Sequence, residues 1–432
     1  MSTLGERAVR HAQALIRIDT TNPGPGEERA AAYVVDVLAA AGATAEVVEP
    51  APGRCSVLCR VPGRDPELPA LLVHGHLDVV PAVEEGWTHD PFGGEEVDGF
   101  LWGRGAVDMK NAVGMMLALQ EEIAAGRCPA PRRTLVFAYF ADEEMGGTLG
   151  ARWIAEHRPD LLDGVTAAIG EVGAFAVPLP DGRRLYPIQC AEKGMLWIRM
   201  TVAGEGGHAA FSDGTNALVR AAEMVLAIDR LRPQEAPPAT HRELVTAVGE
   251  LFGPGPGPDE LSADALGALG AFGALASLGD RTRSTPTIVR AGVKENVIPA
   301  RAELFVDTRY LPGSLEATTS RLLDLLGEDD DHEIVSVSPG VAGGYDPALY
   351  ERCAAALRRS DPGAIVVPFV NSAGTDAQHF EALGVSSLGF MPVPLTPLGF
   401  DYLACFHTVD ERVPMDAIAR GAEILRDVVC GY

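Results

Sequence analysis

The sequence predicts an α/β domain, a mixed, mostly parallel sheet between helices, interrupted by an inserted α+β module. Three observations carry this. From the N-terminus to about residue 190, segments of helical period alternate with short apolar runs of the kind that form buried strands. Over 191–312 the character changes to alternating strands, one helix and a long Pro/Gly-rich stretch. From 313 the helix–strand alternation returns, so 1–190 and 313–432 read as two parts of one domain around an insert of 191–312. No internal repeat is visible.

Residues 6–19 place Val9, Ala12, Leu15 and Ile16 on one stripe, the spacing of an amphipathic helix. The run 20–26, with two prolines and two glycines, ends it. An Ala-rich helix over 27–41 is closed by Gly42. Extended apolar runs follow at 45–48, 56–61 and 70–73, then a helix over 109–125, a buried strand over 134–140 and a further apolar run at 165–169. In the middle, 195–203, 288–291 and 301–308 read as strands, the last alternating through Ala302, Leu304 and Val306, with a helix near 216–231. The stretch 232–286 contains Gly-Pro-Gly-Pro-Gly-Pro at 253–258 and reads as an exposed loop, because such a run forms no regular element.

The 432 residues carry 35 Lys and Arg against 60 Asp and Glu, a formal net charge of −25. That balance repels polyanions and excludes nucleic acid and anionic membrane as partners. It leaves a solubilising surface or carboxylates gathered to hold cations. A hydrophobic fraction of 47% and a charged fraction of 22% exclude a disordered polyanion. Seven cysteines without regular spacing make no disulfide framework, and Cys55 and Cys59 lack a second pair for a zinc knuckle. The first ten residues hold no apolar core of a secretory signal, and no apolar stretch approaches the ~20 residues of a membrane span. A reduced, cytoplasmic chain is expected.

Metal-ligand residue types cluster at the ends of the apolar runs. His76 and Asp78 follow 70–73 and, two apart in an extended segment, point to the same side. An imidazole that binds a metal through one nitrogen commonly gives its other N–H to a carboxylate. Asp108 stands at the start of the 109–125 helix, where it also suits an N-cap. Asp142, Glu143 and Glu144 follow 134–140; three consecutive acids need either solvent or cations. Glu171 follows 165–169, and His407 stands late in the chain. In α/β sheets ligands gather at strand ends, and imidazoles with carboxylates suit zinc, one carboxylate bridging two ions.

These segments resemble the dinuclear zinc hydrolase family that contains acetylornithine deacetylase, succinyl-diaminopimelate desuccinylase, aminoacylase and glutamate carboxypeptidases. The resembling stretches are 15–23 (LIRIDTTNP), 75–81 (GHLDVVP), 87–92 (WTHDPF), 101–110 (LWGRGAVDMK) and 141–147 (ADEEMGG). They continue with 206–208 (GGH), 294–299 (KENVIP), 306–313 (VDTRYLPG), 374–377 (GTDA) and 407–413 (HTVDERV), in the family's order across nearly the whole chain.

The resemblance implies a catalytic α/β domain, an inserted lid and dimerisation domain, and two zinc ions per chain that cobalt can replace. His76 would bind one zinc, with Asp78 orienting its ring. Asp108 would bridge both metals, Glu171 would complete the first shell, and Glu144 and His407 the second. Glu143 would be the general base and acid. His208 would reach into the partner subunit's site to stabilise the oxyanion. Asn296 and Arg309, with Gly374 and Thr375, would bind substrate. The implied reaction is hydrolysis of the amide of an N-acyl amino acid or dipeptide-like substrate with a free carboxylate. The length of 232–286 leans towards aminoacylases and carboxypeptidases rather than the compact acetylornithine deacetylase and desuccinylase type.

Four departures bear on the pocket and none removes a ligand: Glu171 lies in Gly170-Glu171-Val172-Gly173, Asn111 stands where Gly is common, Ala210-Phe211 where Ser-Pro is common, and Thr408 where Gly is common. Arg104, between two glycines, reads as part of a tight turn, and Trp87 and Trp102 as packing beside the site. A dinuclear phosphoesterase would use similar ligands, but His208 and the Asn296/Arg309 pair argue against it. A catalytically inactive, metal-binding homologue would lack a base or ligand, and all are present.

Overall fold

The structure, a computed structural model, describes residues 2–24, 26–82, 85–233, 235–342, 344–395 and 400–431. Pro25 of the first turn and Gln234 of the Pro/Gly-rich stretch lie outside the described residues. Helix Leu4–Ile16 opens on a reciprocal cap: Glu6 N–H donates to the Thr3 hydroxyl and Thr3 N–H to the Glu6 carboxylate. Ala12, Leu15 and Ile16 of its expected stripe are buried against helix Lys110–Ala124 together with Ala8, while Val9 is only partly buried.

Nine strands among the described residues form one mixed sheet with a parallel centre, eight along one path and Val177–Pro178 joined to Arg184–Glu192 off it. Its path runs Glu46–Ala51, Arg54–Val61, Leu135–Phe140, Ala70–His76, Val165–Gly170, Ser386–Gly389, Arg184–Glu192, Ala364–Asn371. The middle strands Leu135–Phe140, Ala70–His76 and Val165–Gly170 lie parallel and side by side. They read as continuous apolar runs because both sheet faces are covered. Alternate residues serve opposite cores: Leu71, Val73, Phe137 and Tyr139 join the cluster under helices Leu4–Ile16, Lys110–Ala124 and Met415–Val429, while Leu72, Val136, Ala138 and Phe140 join one with Ala151, Ile154 and Phe380. Each Leu, Ile, Val or Phe side chain among these contributes about 1.5–3 kcal/mol of burial.

A second, antiparallel sheet has the order Arg283–Ala291, Arg301–Tyr310, Gly194–Ala203, Asp331–Ser338. Leu196, Ile198, Met200 and Val202 face Ala302, Leu304 and Val306 in a separate core that takes in Ala217, Ala221, Met224 and Ile228 of helix Ala217–Asp229 and Leu322 of helix Leu315–Leu323. Two sequence expectations change here. Strand Asp331–Ser338 pairs with Gly194–Ala203, so this sheet reaches past residue 312. The stretch 232–286 is not a loop throughout: it holds helices Ala239–Phe252 and Ala263–Ala276 and the start of strand Arg283–Ala291. Leu244, Val245, Val248, Leu269 and Phe272 of those helices are buried in the large domain's core. Helical spacing of these few apolar residues outweighs the glycines within the helices, of which Gly270 breaks the second with non-helical φ/ψ, while the Gly-Pro run 253–258 is confined to the connection between them. No helix among the described residues is long and apolar enough to cross a membrane.

Candidate metal centre

The three central parallel strands deliver their carboxyl ends to one edge of the sheet, where ligands of α/β folds collect. His76 is the last residue of Ala70–His76, Glu143 and Glu144 open the short turn Glu143–Met145 after Leu135–Phe140, and Glu171 follows Val165–Gly170 directly. Asp108 precedes helix Lys110–Ala124 but does not cap it; the cap position is Met109, and the Asp108 side chain turns to the histidines. His407 joins from the far end of the chain.

Asp108 stands between two histidines, one on each oxygen. His76 Nε2 lies 3.0 Å from its Oδ1 and His407 Nε2 3.2 Å from its Oδ2. Glu171 is 3.6 Å from the same nitrogen of His76, and Glu144 is 3.4 Å from that of His407. Glu143 stands farther out, 4.0 Å from His76 Nε2. Donor atoms around a tetrahedral zinc at 2.0–2.1 Å are about 3.3 Å apart. The His–carboxylate distances are of that order, and two groups have all their donor atoms within 4.8 Å of one another, His76 with Glu143 and Glu171 and His76 with Asp108 and Glu144, so the cluster can hold a metal.

The electrostatics agree. Burial, followed by the charge of Glu171, pushes Glu143 well above the usual carboxylate range. Burial, reinforced by Asp108, raises Glu144, and burial takes Glu171 up to about 7. Hydrogen bonding to Asp108 and Glu144 raises His407 to about 10. One carboxylate oxygen of Glu144 is buried without a partner. Four acids and two histidines gathered at a buried edge fit divalent cations, whose charge would relieve this crowding and occupy the orphaned oxygen.

The profile of Peptidase family M20/M25/M40 matches residues 72–430. The chain belongs to this family. It is a metallo-hydrolase acting on amide or peptide bonds, and members of the family bind two metals. Aminoacylase-1 of Sus scrofa is 26% identical over 416 residues, 95% of this chain and 91% of that protein. The N-fatty-acyl-amino acid synthase/hydrolase PM20D1 of Bos taurus is 29% identical over 390 residues, 84% and 74% of the two chains. An M20 metallo-carboxypeptidase of Sulfolobus solfataricus shares the fold at a TM-score of 0.71 and 15% identity over 98% of both chains. Human carnosine dipeptidase 1 does so at 0.68 and 17%, over 99% and 96%.

In this M20 chain, three supporting groups hold the ligands. Asp78, fully buried, sits 3.5 Å from His76 Nδ1, whose shorter contact, 3.0 Å, is to the Asp78 carbonyl oxygen. The Asp78 carboxylate also accepts the backbone N–H groups of Glu143 and Glu144, at 3.2 and 3.1 Å. Asp142, the first of the three consecutive acids, is not a solvated tip: it is buried and accepts from Asn22, Thr148 and Leu149. Glu411 accepts the N–H groups of Val107 and Asp108 at 2.7 and 3.1 Å and the Arg104 guanidinium at 2.6 Å. Arg104 in turn lies over the Trp87 ring, and Gly103 and Gly105 at φ +144° and +89° supply the turn on either side of it. Trp102 packs under Arg412 and beside His89. Asn111, the unusual residue after Asp-Met-Lys, meets the Tyr402 hydroxyl at 3.4 Å.

The remaining sequence candidates fall into two groups. Thr375 caps the turn Asp376–His379 and gives its hydroxyl and N–H to the buried Glu192; Gly374 beside it is exposed. His208 and Asn296 meet each other at 3.3 Å on the exposed two-stranded ribbon Gly207–His208 and Val297–Ile298, and Arg309 pairs with Asp307 at 2.9 Å on the small sheet. Among the described residues no hydrogen bond or ion pair joins these three to the cluster at the strand ends. Sequence reasoning gave no role to Asn22, Glu192 or Glu411. Asn22 and Glu411 lie inside stretches that carry the family resemblance, and Glu192 announces itself only through a buried fold contact.

Proposed function

We propose that this enzyme hydrolyses the amide bond of an N-acyl amino acid, or of a dipeptide-like substrate with a free carboxylate, with two zinc ions that cobalt can replace. The observation that carries the reading is Asp108, each oxygen of which faces a different histidine and its accompanying acid. His76 and Glu171 would hold one ion and His407 and Glu144 the other, with Asp108 shared. Bound metals would polarise the carbonyl and bring a water's pKa near neutrality. Glu143 is close enough to face the same space and farther from the histidines than the other acids. It takes the proton of the attacking water and returns it to the leaving amine.

His208 and Asn296 serve the substrate from the lid of a partner subunit, His208 donating to the oxyanion as charge develops there. Their exposure supports this, since neither is buried by the fold of its own chain. A homodimer through the small domain is supported by apolar side chains left in solvent: Leu218, Val219 and Leu226 on helix Ala217–Asp229, and Ile288 and Val289 on the adjacent edge strand Arg283–Ala291. Arg309 suits bidentate capture of the substrate carboxylate in exchange for Asp307. Gly374 and Thr375 shape the pocket floor next to the buried Glu192. The names of aminoacylase-1 and of the N-fatty-acyl-amino acid synthase/hydrolase support an acyl amino acid as substrate.

The test is a panel of N-acyl amino acids of increasing chain length together with dipeptides, read by amine release. About two metals per chain are expected, with activity lost on chelation and restored by zinc or cobalt. Absence of amine release from every member by the metal-loaded protein sinks the reading.

A further inference from the structure

We infer that Asn22 is a positioning residue for the metal centre, acting through Asp78. The inference rests on the reading of the strand-end cluster as a metal site. Asn22 follows the first helix in an irregular segment, and its backbone N–H donates to the Val79 carbonyl at 2.9 Å, which lays it beside the His76–Asp78 segment. Its side chain is 2% exposed and bridges two acids. The amide nitrogen donates to Asp78 Oδ2 at 2.8 Å and to Asp142 Oδ1 at 3.2 Å. The amide oxygen accepts from Arg54 at 2.7 Å, and Arg54 is paired in turn with the fully buried Glu27. Carboxylates only accept and guanidinium only donates, so these partners fix which end of the amide faces which way.

The consequence is mechanical. Asp78 accepts the N–H groups of both Glu143 and Glu144, so the position of its carboxylate sets the turn that carries the proposed base and one metal ligand. Asp142 anchors the start of the same turn. Asp78 and Asp142 are like charges, and the neutral, two-donor amide of Asn22 is what lets both approach from one side. Arg54 fixes the amide from behind and lies 3.9 Å from Asp142. The path Arg54, Asn22, Asp78, then Glu143 and Glu144 is continuous in hydrogen bonds. Asn22 touches no ligand atom in it, which is why its effect belongs to affinity and geometry rather than to proton transfer.

The test uses the full-length protein, stripped of metal and titrated with Co²⁺, whose visible absorption reports both affinity and ligand geometry. Wild type is compared with Asn22→Ser, Asn22→Ala and Asn22→Asp, alongside thermal unfolding, kcat and KM. Loss of a direct outer partner of a metal ligand costs about 10–100-fold in metal affinity, and loss of Asn22, one step farther out behind Asp78, should cost about tenfold or less. The expected order of affinity is wild type, then Ser, which keeps one donor, then Ala, then Asp. The kcat of the loaded variants should fall with KM within about threefold, because Asn22 is buried away from substrate. Asp is the decisive substitution: it has the shape of Asn but brings a third acid in place of two N–H groups. Cobalt affinity and spectrum of Asn22→Asp close to wild type, or all variants within twofold whatever their melting temperatures, would overturn the inference in favour of simple packing. Failure of wild type itself to bind cobalt would instead overturn the metal-centre reading on which it rests.

Discussion

The strand-end cluster and the lid ribbon carry the same kinds of residue under opposite conditions. At the sheet edge, His76, Asp108, Glu144 and Glu171 are held by strand ends, backbone N–H groups and buried acids, and their donor atoms already face one another. On the ribbon, His208 is exposed, stacks on the Phe211 ring, itself 88% exposed, and among the described residues has one side-chain hydrogen-bond partner, Asn296. The first region is assembled within one chain by the fold; the second is left open to solvent by it. On the function proposed above, preorganised chemistry would sit on the rigid layer and recognition where a second subunit completes it.

The sharpest way to break that contrast is Glu143→Gln. If the sheet edge alone performs the proton transfers, turnover should fall about 10²–10⁴-fold while metal content stays at wild-type level. Near-normal turnover would remove Glu143 from the chemistry.

Arg104→Met addresses what holds the edge together. It leaves the fully buried Glu411 without its cation, and breaking a buried pair by removing one partner costs about 3–5 kcal/mol. Unfolding by denaturant should show a loss of that size, and Arg104→Met/Glu411→Gln should recover part of it, since a neutral amide needs no counter-charge. An Arg104→Met protein as stable as wild type would mean that the Asp108 loop is held by other contacts.

How much of this could be read beforehand depends on where each residue's constraint lies. His76, Asp108, Glu144, Glu171 and His407, which the fold brings together, were legible as candidates because each abuts an apolar run or a family stretch, and strand ends are visible in a sequence. The helices within 239–276 were not, because Gly-Pro repeats dominate local propensity while burial of Leu244, Val248, Leu269 and Phe272 in the large core, a tertiary effect, decides the outcome. Strand Asp331–Ser338 escaped for a related reason: its residues are mostly exposed, so it lacks the clear apolar alternation of its neighbours. Asn22 and Glu411 act through hydrogen bonds to residues 56 and about 300 positions away, and no local pattern encodes such partners.

If the ribbon serves a partner subunit's site, as proposed, complementation follows. His208→Ala should lower kcat roughly 10²-fold, the scale of a lost oxyanion donor. Mixed dimers of His208→Ala and Glu143→Gln subunits should regain activity, because one of the two sites then combines an intact base with an intact histidine from across the interface. A verified mixed dimer with no recovery would place His208 in its own chain's site or outside catalysis.

The smallest effect is expected at Arg309, and it separates recognition from stability. The guanidinium and Asp307 are both about one-quarter to one-third exposed, and such ion pairs contribute about 0–1 kcal/mol. Arg309→Ala should therefore leave the melting temperature almost unchanged, and Arg309→Lys likewise. If Arg309 exchanges Asp307 for a substrate carboxylate, KM should rise by about tenfold in both variants, since a lysine cannot present the two parallel donors that a carboxylate accepts. The discriminating measurement is an N-acyl amino acid against its carboxamide. Wild type should prefer the free acid and Arg309→Ala should not. An undiminished preference in the variant would assign carboxylate recognition elsewhere and leave Arg309 as a strand-surface ion pair.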